Sequence, residues 1–340
     1  MSTQNAVSHD LSPSTRWRLA LPIDRWHRPL LVLSGVLGVL AIFALLGWLI
    51  DDRQLLGVNI WEKPLKFSIS AALYAVTWAW LIGQFTRMRR IAWWAGTVIS
   101  GALAIELVII VGLAAAGMTS HFNKTTAFNA SAYSIMAAAI TTLWVATLLA
   151  GIALWRNSGM EPARQAAIRW GVVISLLGMG LAFLMTSTTA AQHADFRGIS
   201  GAHAVGVADG GPGLPFVGWS TIAGDLRVPH FLGIHALQAL PVFGLLLEVS
   251  ARRFTALRDA LVRRGLVLAA GGAYLAVVGL TTMQALRGQS LVAPDGLTLS
   301  LGATVAGLLL AASLTVLVAG KRRQTNGYSG HDHTTDGVQA

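Results

Sequence analysis

Residues 29–50 read PLLVLSGVLGVLAIFALLGWLI, and this stretch decides the fold class because it contains no charged side chain. A helix rises about 1.5 Å per residue, so about 20 consecutive apolar residues are needed to cross the hydrocarbon core of a bilayer. The stretch reaches that length. It therefore predicts a transmembrane helix.

Seven further segments share this length and apolar character. Together with the first, they predict spans at roughly 29–50, 65–85, 91–118, 130–155, 170–190, 230–248, 265–285 and 298–319. Composition agrees, because 54% of the residues are hydrophobic and only 12% are charged, whereas a soluble domain carries about 25% charged residues. We expect an all-α integral membrane protein, a bundle of about eight transmembrane helices over residues 29–320.

Lysine and arginine are distributed unequally between the connections. If the N-terminus is cytoplasmic, the inside segments hold 18 of these 25 residues and the outside segments hold 7. Cations near span ends are enriched on the cytoplasmic side. Both polar ends of the chain, 1–28 and a disordered 321–340, are therefore predicted to be cytoplasmic. The excess of Arg over Lys is typical of a GC-rich bacterial genome, so the predicted location is a bacterial inner membrane. The expected partner is the lipid bilayer and not nucleic acid.

The longest predicted outside connection, 191–229, leads directly into the sixth span. Residues 201–241 read GAHAVGVADGGPGLPFVGWSTIAGDLRVPHFLGIHALQALP. A long loop without secondary structure is usually functional or disordered. Because this one also carries Phe and Trp residues, we expect it to fold back as a lid over the outer end of the bundle. It lacks the GK[ST] sequence of a phosphate-binding loop.

Glu106 lies within the third predicted span, about 18 Å from its outer end. Ionisable residues inside a membrane are costly and are functional candidates. Two interpretations stand: a proton- or ion-carrying carboxylate, or a protonated one that hydrogen-bonds to a neighbouring helix.

His230, His235 and Gln238 lie at the start of the sixth span. At about 100° per residue, His235 and Gln238 share a helix face, whereas His230 points elsewhere. Gly233 permits close approach of a bulky group. We consider His230, His235 and Gln238 candidate cofactor ligands, with hydrogen bonding in the bundle core as the alternative for His235.

Other polar residues map to the same side of the predicted bundle. His121 and His203 are, with His235, candidate metal ligands, although each on its own fits an ordinary loop histidine. Glu62 and Lys66 are spaced to pair on one helix face. Lys66 is either an interfacial anchor that extends outward together with Lys63, which is the favoured interpretation, or a charge for a substrate. Asp225 and Arg227 suggest an ion pair, and a substrate-binding Arg227 is the alternative.

Three functions are compatible with these residues. The first is a redox protein with a haem b or a His-ligated iron or copper, in which Glu106, Lys66 and Arg227 handle charge and protons. The second is a proton- or ion-coupled transporter of a small solute that uses Glu106. The third is a non-catalytic subunit or sensor that meets a redox partner or another membrane subunit. The absence of cysteine excludes thiolate catalysis and iron–sulfur clusters.

Overall fold

A computed structural model of the protein describes residues 23–157 and 160–329. The helices are α1 (Arg28–Ile50), α2 (Glu62–Gly83), α3 (Arg89–Ala115), α4 (Ala127–Trp155), α5 (Pro162–Met185), α6 (Ala190–Ala194), α7 (Arg227–Ser250), α8 (Ala260–Leu286) and α9 (Gly296–Ser329). The strands β1 (Gln54–Leu55) and β2 (Val58–Asn59) form one antiparallel pair, and β3 (Ala204–Val205) and β4 (Gly224–Asp225) form another.

Eight of these helices, all but α6, are long and apolar enough to cross a membrane. The eight predicted spans are therefore confirmed as helices, and they fit a multi-pass membrane protein. The largest difference at a helix start concerns α5, which begins at Pro162 and not near residue 170. Pro162 is suited to a first helical position, and the Glu161 side chain caps the helix by accepting a hydrogen bond from the Arg164 backbone N–H.

The last helix also departs from the predicted boundaries. α9 continues to Ser329, beyond residue 320, where the disordered segment was predicted to begin. Lys and Arg are good helix formers, and Arg323 pairs with Asp259 at the start of α8, so the helix does not end where the apolar residues end. Residues 1–22 and 330–340, which belong to the two predicted cytoplasmic segments, lie outside the described residues.

The long helices alternate in direction, which gathers their connections at two ends of the bundle. Gly47 near the end of α1 faces Trp61 just before α2, and Gly83 at the end of α2 faces Arg25 before α1. We call the end formed by 51–61, 116–126, 186–226 and 287–295 the loop face. We call the opposite end, formed by 23–27, 84–88, 156–157, 160–161 and 251–259, the arginine face.

The tightest helix pair is α5 with α7. Gly178 and Gly233 face each other so closely that a Cβ added at Gly178 would lie 2.5 Å from the Gly233 backbone. Small residues let membrane helices approach in this way. Gly233 was expected to admit a bulky group, and this expectation was wrong, because the backbone of α5 fills that space.

Two ion pairs join the same helices at the arginine face. Arg164 on α5 makes a bidentate contact with Glu248 on α7, at 3.0 Å and 2.5 Å, and the Glu248 side chain is fully buried. Arg263 on α8 contacts Glu161 at 3.1 Å. These contacts fix α5, α7 and α8 relative to one another at the end opposite the histidines.

Candidate functional site

The 116–126 connection turns inward into the bundle. Ser120, Phe122 and Asn123 are each less than a tenth exposed. Phe122 takes a left-handed conformation with φ +63°, and the two neighbouring chain segments are tied by hydrogen bonds from Ser200 N to Phe122 O and from Lys124 N to Gly198 O. His121 was favoured as a solvated loop histidine, and this was wrong, because the apolar Phe122 beside it anchors the segment inside the bundle.

His121 stands between a lysine and a carboxylate. Its Nδ1 atom lies 2.9 Å from Nζ of Lys63 on α2, and its Nε2 atom lies 3.7 Å from Oε1 of Glu106 on α3. A lysine ammonium only donates hydrogen bonds, so Nδ1 accepts and Nε2 carries the proton that faces Glu106. The three side chains form a row that joins the loop face to the interior.

The His121 ring is held in place by aromatic neighbours. Its centroid lies 5.7 Å from that of Phe67 and 6.0 Å from that of Phe122. Burial, reinforced by the nearby Lys63 charge, lowers the pKa of His121 well below its ordinary value. The imidazole is therefore neutral at pH 7, which is the form that accepts a proton from one neighbour while giving one to the other.

Glu106 is buried about 14 Å from the loop-face end of α3, counted over nine residues to Ala115. It is 5% exposed, and its Oε2 atom has no hydrogen-bond partner among the described residues. A charged side chain at the centre of a membrane helix costs about 3 kcal/mol on insertion scales. Two effects offset this cost: protonation of the Glu106 carboxylate, which removes the charge, or its attraction to the Lys63 ammonium on the other side of the His121 ring.

Lys66 and Arg227 bind the backbone of the long connection. Lys66 Nζ lies 2.7 Å from Glu62 Oε1 and donates to the Val217 carbonyl at 3.2 Å. Arg227 pairs with Asp225 at 2.6 Å and donates to the Gly218 carbonyl at 2.5 Å. Both predicted ion pairs are confirmed.

The favoured outward orientation of Lys63 and Lys66 was wrong. Lys66 bonds to a carbonyl group of the 186–226 connection and Lys63 to the His121 ring, because these acceptors offer hydrogen bonds that compete with water. Gly218, at φ +68°, brings the chain close: a Cβ there would lie 3.7 Å from Lys66 Nζ and 3.8 Å from an Arg227 nitrogen. A residue without a side chain suits this position.

His203 and Asp209 form a second, half-buried pair, with Nδ1 and Oδ2 2.8 Å apart. Burial lowers the pKa of His203, although Asp209 opposes the effect. Burial alone would raise the pKa of Asp209, but bonds from the His203 ring and from backbone N–H groups of His203 and Ala204 lower it to about 2. Asp209 therefore closes the 203–209 turn as an ionised carboxylate.

The two histidines of α7 contact different helices, as their spacing predicted. His230 Nδ1 lies 2.8 Å from the Gly178 carbonyl on α5, whereas His235 Nε2 lies 3.2 Å from Ser70 Oγ on α2. Gln238, nearly one turn further along α7, is a side-chain hydrogen-bond neighbour of the His235 ring. The described contacts of both histidines are thus with the bundle itself.

One face of α2 carries polar groups deep into the bundle. After Lys63, it presents Ser70 to His235, and Tyr74 to Thr147 on α4, with hydroxyl oxygens 2.5 Å apart. Further along, the buried Trp78 lies one turn beyond Tyr74 and is a side-chain hydrogen-bond neighbour of its hydroxyl group. Intervals of three and four residues place these groups on one side of the helix.

The candidate histidine ligands lie near one another, but their ring nitrogens are engaged by other groups. Nδ1 of His121, His203 and His230 is held by Lys63, by Asp209 and by the Gly178 carbonyl, respectively. Across residues 23–157 and 160–329, no group of three or more His, Asp or Glu side chains has the geometry to hold a metal ion. The described residues therefore offer no three-ligand metal site, and the binding of haem b or of a His-ligated iron or copper stays a prediction.

The sequence analysis missed the central role of Lys63 in this cluster. A signal was present, because Lys63, Phe67, Ser70 and Tyr74 recur at intervals of four, three and four residues, which is one face of a helix. The lysine next to the membrane edge was interpreted as an anchor because long cationic side chains usually extend toward water.

Searches against protein-family models, curated proteins and solved structures find no match to this chain.

Proposed function

We propose that this chain is a proton-coupled transporter of a small polar solute, embedded in a bacterial inner membrane, and that Glu106 is its proton carrier. The observation that carries the proposal is the row formed by Lys63, His121 and Glu106. It connects a segment near the surface with a buried carboxylate whose second oxygen has no described partner. Intramembrane carboxylates of this kind mark proton relays in pumps and transporters.

The row permits a balanced proton transfer. The Lys63 ammonium gives a proton to Nδ1 of His121, and Nε2 of His121 gives its proton to Oε1 of Glu106. The products are a neutral amine, the other imidazole tautomer and a neutral carboxylic acid, so two buried charges disappear in one step. The 3.7 Å gap to Glu106 exceeds a hydrogen bond, and a small side-chain rotation or one bridging water closes it.

In this proposal, the polar solute passes along the polar face of α2, beside this row. Among the buried polar atoms without a hydrogen bond in the described residues are Ser68 Oγ on α2 and Glu106 Oε2 on α3, and others lie elsewhere in the bundle, for example on Gln84 and Asn129. Each such group costs about 1–3 kcal/mol when it lacks a hydrogen bond. From Lys63 to Trp78, the polar face of α2 extends about 22 Å, counted over fifteen residues. Water or a hydrogen-bonding solute between these helices satisfies the groups, which supports transport.

The 186–226 connection is the gate on the external side in this proposal. Lys66 and Arg227 hold its carbonyl groups, and Ser290 Oγ donates to the Ser220 carbonyl from the connection between α8 and α9. Release of these contacts would open the loop face above His121. The excess of Lys and Arg in the other connections supports an external loop face and cytoplasmic ends.

Proton flux in proteoliposomes tests the proposal. The purified protein is reconstituted with a pH-sensitive dye inside, a pH gradient is imposed, and lumenal acidification is followed with and without mixtures of small sugars, amino acids and organic acids. We expect flux that one mixture increases, and loss of that flux in Glu106→Gln, because the amide cannot take up a proton.

Asp52→Asn is the matched control. It removes one carboxylate from an exposed position at the loop face and should leave the flux unchanged. Flux that is equal in wild type and Glu106→Gln, or no flux with any solute mixture, contradicts the proposal.

A further inference from the structure

The arginine face contains a cavity lined by three arginine residues. Arg25, Arg89 and Arg90 border a space of about 270 Å³ together with His27 and Trp93. No Asp or Glu side chain lines it, and none of the three arginines makes an ion pair with a residue in the described part of the chain. The cavity is therefore a concentration of positive charge without a described counter-ion.

His27 shapes this cavity without adding charge. Its Nδ1 atom accepts a hydrogen bond from the Leu30 backbone, and its Nε2 atom lies 2.9 Å from the Trp93 carbonyl. Burial lowers the pKa of His27, although the contact with Trp93 opposes the effect. A neutral imidazole fits both contacts, so the charge in the cavity comes from the arginines.

The first turn of α3 adds hydrogen-bond donors at the same place. Arg89 is the first residue of α3, and the preceding residue, Met88, makes no side-chain capping bond. Helices α1, α4, α5 and α8 have such a cap, whereas α2 and α7, like α3, lack one, but both of these begin at the loop face. The uncapped N–H groups of a helix start attract anions, particularly phosphate.

A larger apolar groove adjoins this cavity and shares Arg90 with it. The groove lies between α3 and α4, measures about 580 Å³, and is open to the outside of the bundle. Ile91, Trp94, Val98 and Val145 line it, and each of the four is more than 40% exposed. Trp93 and Trp94 belong to the residue type that concentrates at the headgroup level of membranes.

We propose that these two spaces form one binding site for an anionic phospholipid. The phosphate occupies the arginine cavity, and one acyl chain lies in the groove between α3 and α4. Basic pockets between membrane helices on the cytoplasmic side bind anionic headgroups, and the charge and apolar surface here match the two parts of such a lipid. This inference requires that the helices cross a membrane and is independent of proton transfer through Glu106.

Native mass spectrometry of the detergent-solubilised protein tests the proposal. Phosphatidylglycerol and phosphatidylcholine of identical acyl chains are titrated separately, and the bound fraction is measured. We expect tighter binding of phosphatidylglycerol. Arg89→Gln/Arg90→Gln should weaken that binding roughly tenfold or more, because it removes two charge-assisted contacts.

Two further variants separate the lipid from other ligands. Arg252→Gln/Arg253→Gln makes the same charge change at exposed positions of the arginine face outside both spaces, and should leave binding within about twofold, as expected for screened surface charges. Val145→Trp fills the groove and should also weaken phosphatidylglycerol binding. Because it leaves the arginines in place, binding of a free anion would be unaffected by it.

Three results would overturn the proposal. One is equal loss of binding in the two arginine variants, which indicates non-specific attraction. Another is equal affinity for the two lipids. The third is unchanged lipid binding in Val145→Trp with full competition by inorganic phosphate, which assigns the cavity to a free anion. Melting temperature in detergent verifies that each variant is folded, and Arg90→Gln alone replaces the double variant if the latter is not.

Discussion

At the scale of single residues, His121 connects the chemistry of the loop face with that of the interior. Its neutral ring lies between Lys63 and Glu106 and is fixed by Phe67 and Phe122. Glu106 was identifiable from the sequence because a carboxylate inside an apolar run is rare. His121 was not identifiable in this way. Its position depends on a turn that brings a loop residue back toward α3, and the spacing of residues along the chain does not predict that turn.

The buried histidines predict how stability depends on pH. In the folded protein the pKa values of His121 and His203 are lowered, so as pH falls below about 6.5 the unfolded chain binds more protons than the folded one. Stability then decreases toward acid by up to about 1.4 kcal/mol per pH unit for each such histidine. Asp209 adds to the loss only as pH falls below its ordinary value of 3.8 toward about 2.

Thermal unfolding in detergent between pH 5 and pH 7.5 measures the loss of stability caused by the two histidines, because this range brackets the ordinary histidine pKa of about 6.5. His121→Gln and His203→Gln should each reduce the slope of melting temperature against pH. His193→Gln, which changes an exposed histidine, should keep the wild-type slope. Equal slopes in all four proteins would show that burial does not control the protonation of His121 and His203.

At the scale of helices, the apolar runs predicted every long helix. They did not predict the helix ends or which helices pack most closely, because contacts between helices determine both. The observed start of α5 and end of α9 differ from the predicted ones because caps and ion pairs, and not hydropathy, determine where these helices begin and end. The α5–α7 contact was also beyond prediction. Gly233 is one of 36 glycines in the chain, and its partner Gly178 lies in another span.

Gly178→Ala should destabilise the protein by about 1–3 kcal/mol, because the new methyl group would overlap the Gly233 backbone. Gly180→Ala is the matched control. It lies two residues away on the same helix, and a Cβ there meets nothing within 4 Å. Unfolding of both variants by SDS titration measures the difference. If Gly180→Ala loses as much stability as Gly178→Ala, close helix contact is not the cause.

At the scale of the whole molecule, charged residues divide into two groups at opposite ends of the bundle. The loop face holds histidines and carboxylates around Lys63, whereas the arginine face holds the buried Arg164–Glu248 pair and the arginine cavity. The apolar runs predicted a helical membrane bundle, and the distribution of Lys and Arg between the connections predicted its orientation. Neither pattern could predict the sites, since each combines residues from helices distant in sequence.

The proposed orientation is open to direct labelling because the native chain contains no cysteine. Ala208→Cys places a thiol on the loop face, and Thr255→Cys places one on the arginine face, both at exposed positions. In intact bacterial cells, a membrane-impermeant maleimide should label only the first variant. Labelling of Thr255→Cys alone would reverse the proposed orientation, and labelling of both would contradict a sealed span between them.

Infrared difference spectroscopy of the reconstituted protein tests the central claim most directly, because it detects the carbonyl stretch of a protonated carboxyl group. We predict a carboxyl band that appears when external pH is lowered, is missing in Glu106→Gln, persists in Asp52→Asn, and forms more slowly in His121→Phe. A band that is unchanged in Glu106→Gln, or that forms at the same rate without His121, would contradict proton transfer through the Lys63–His121–Glu106 row.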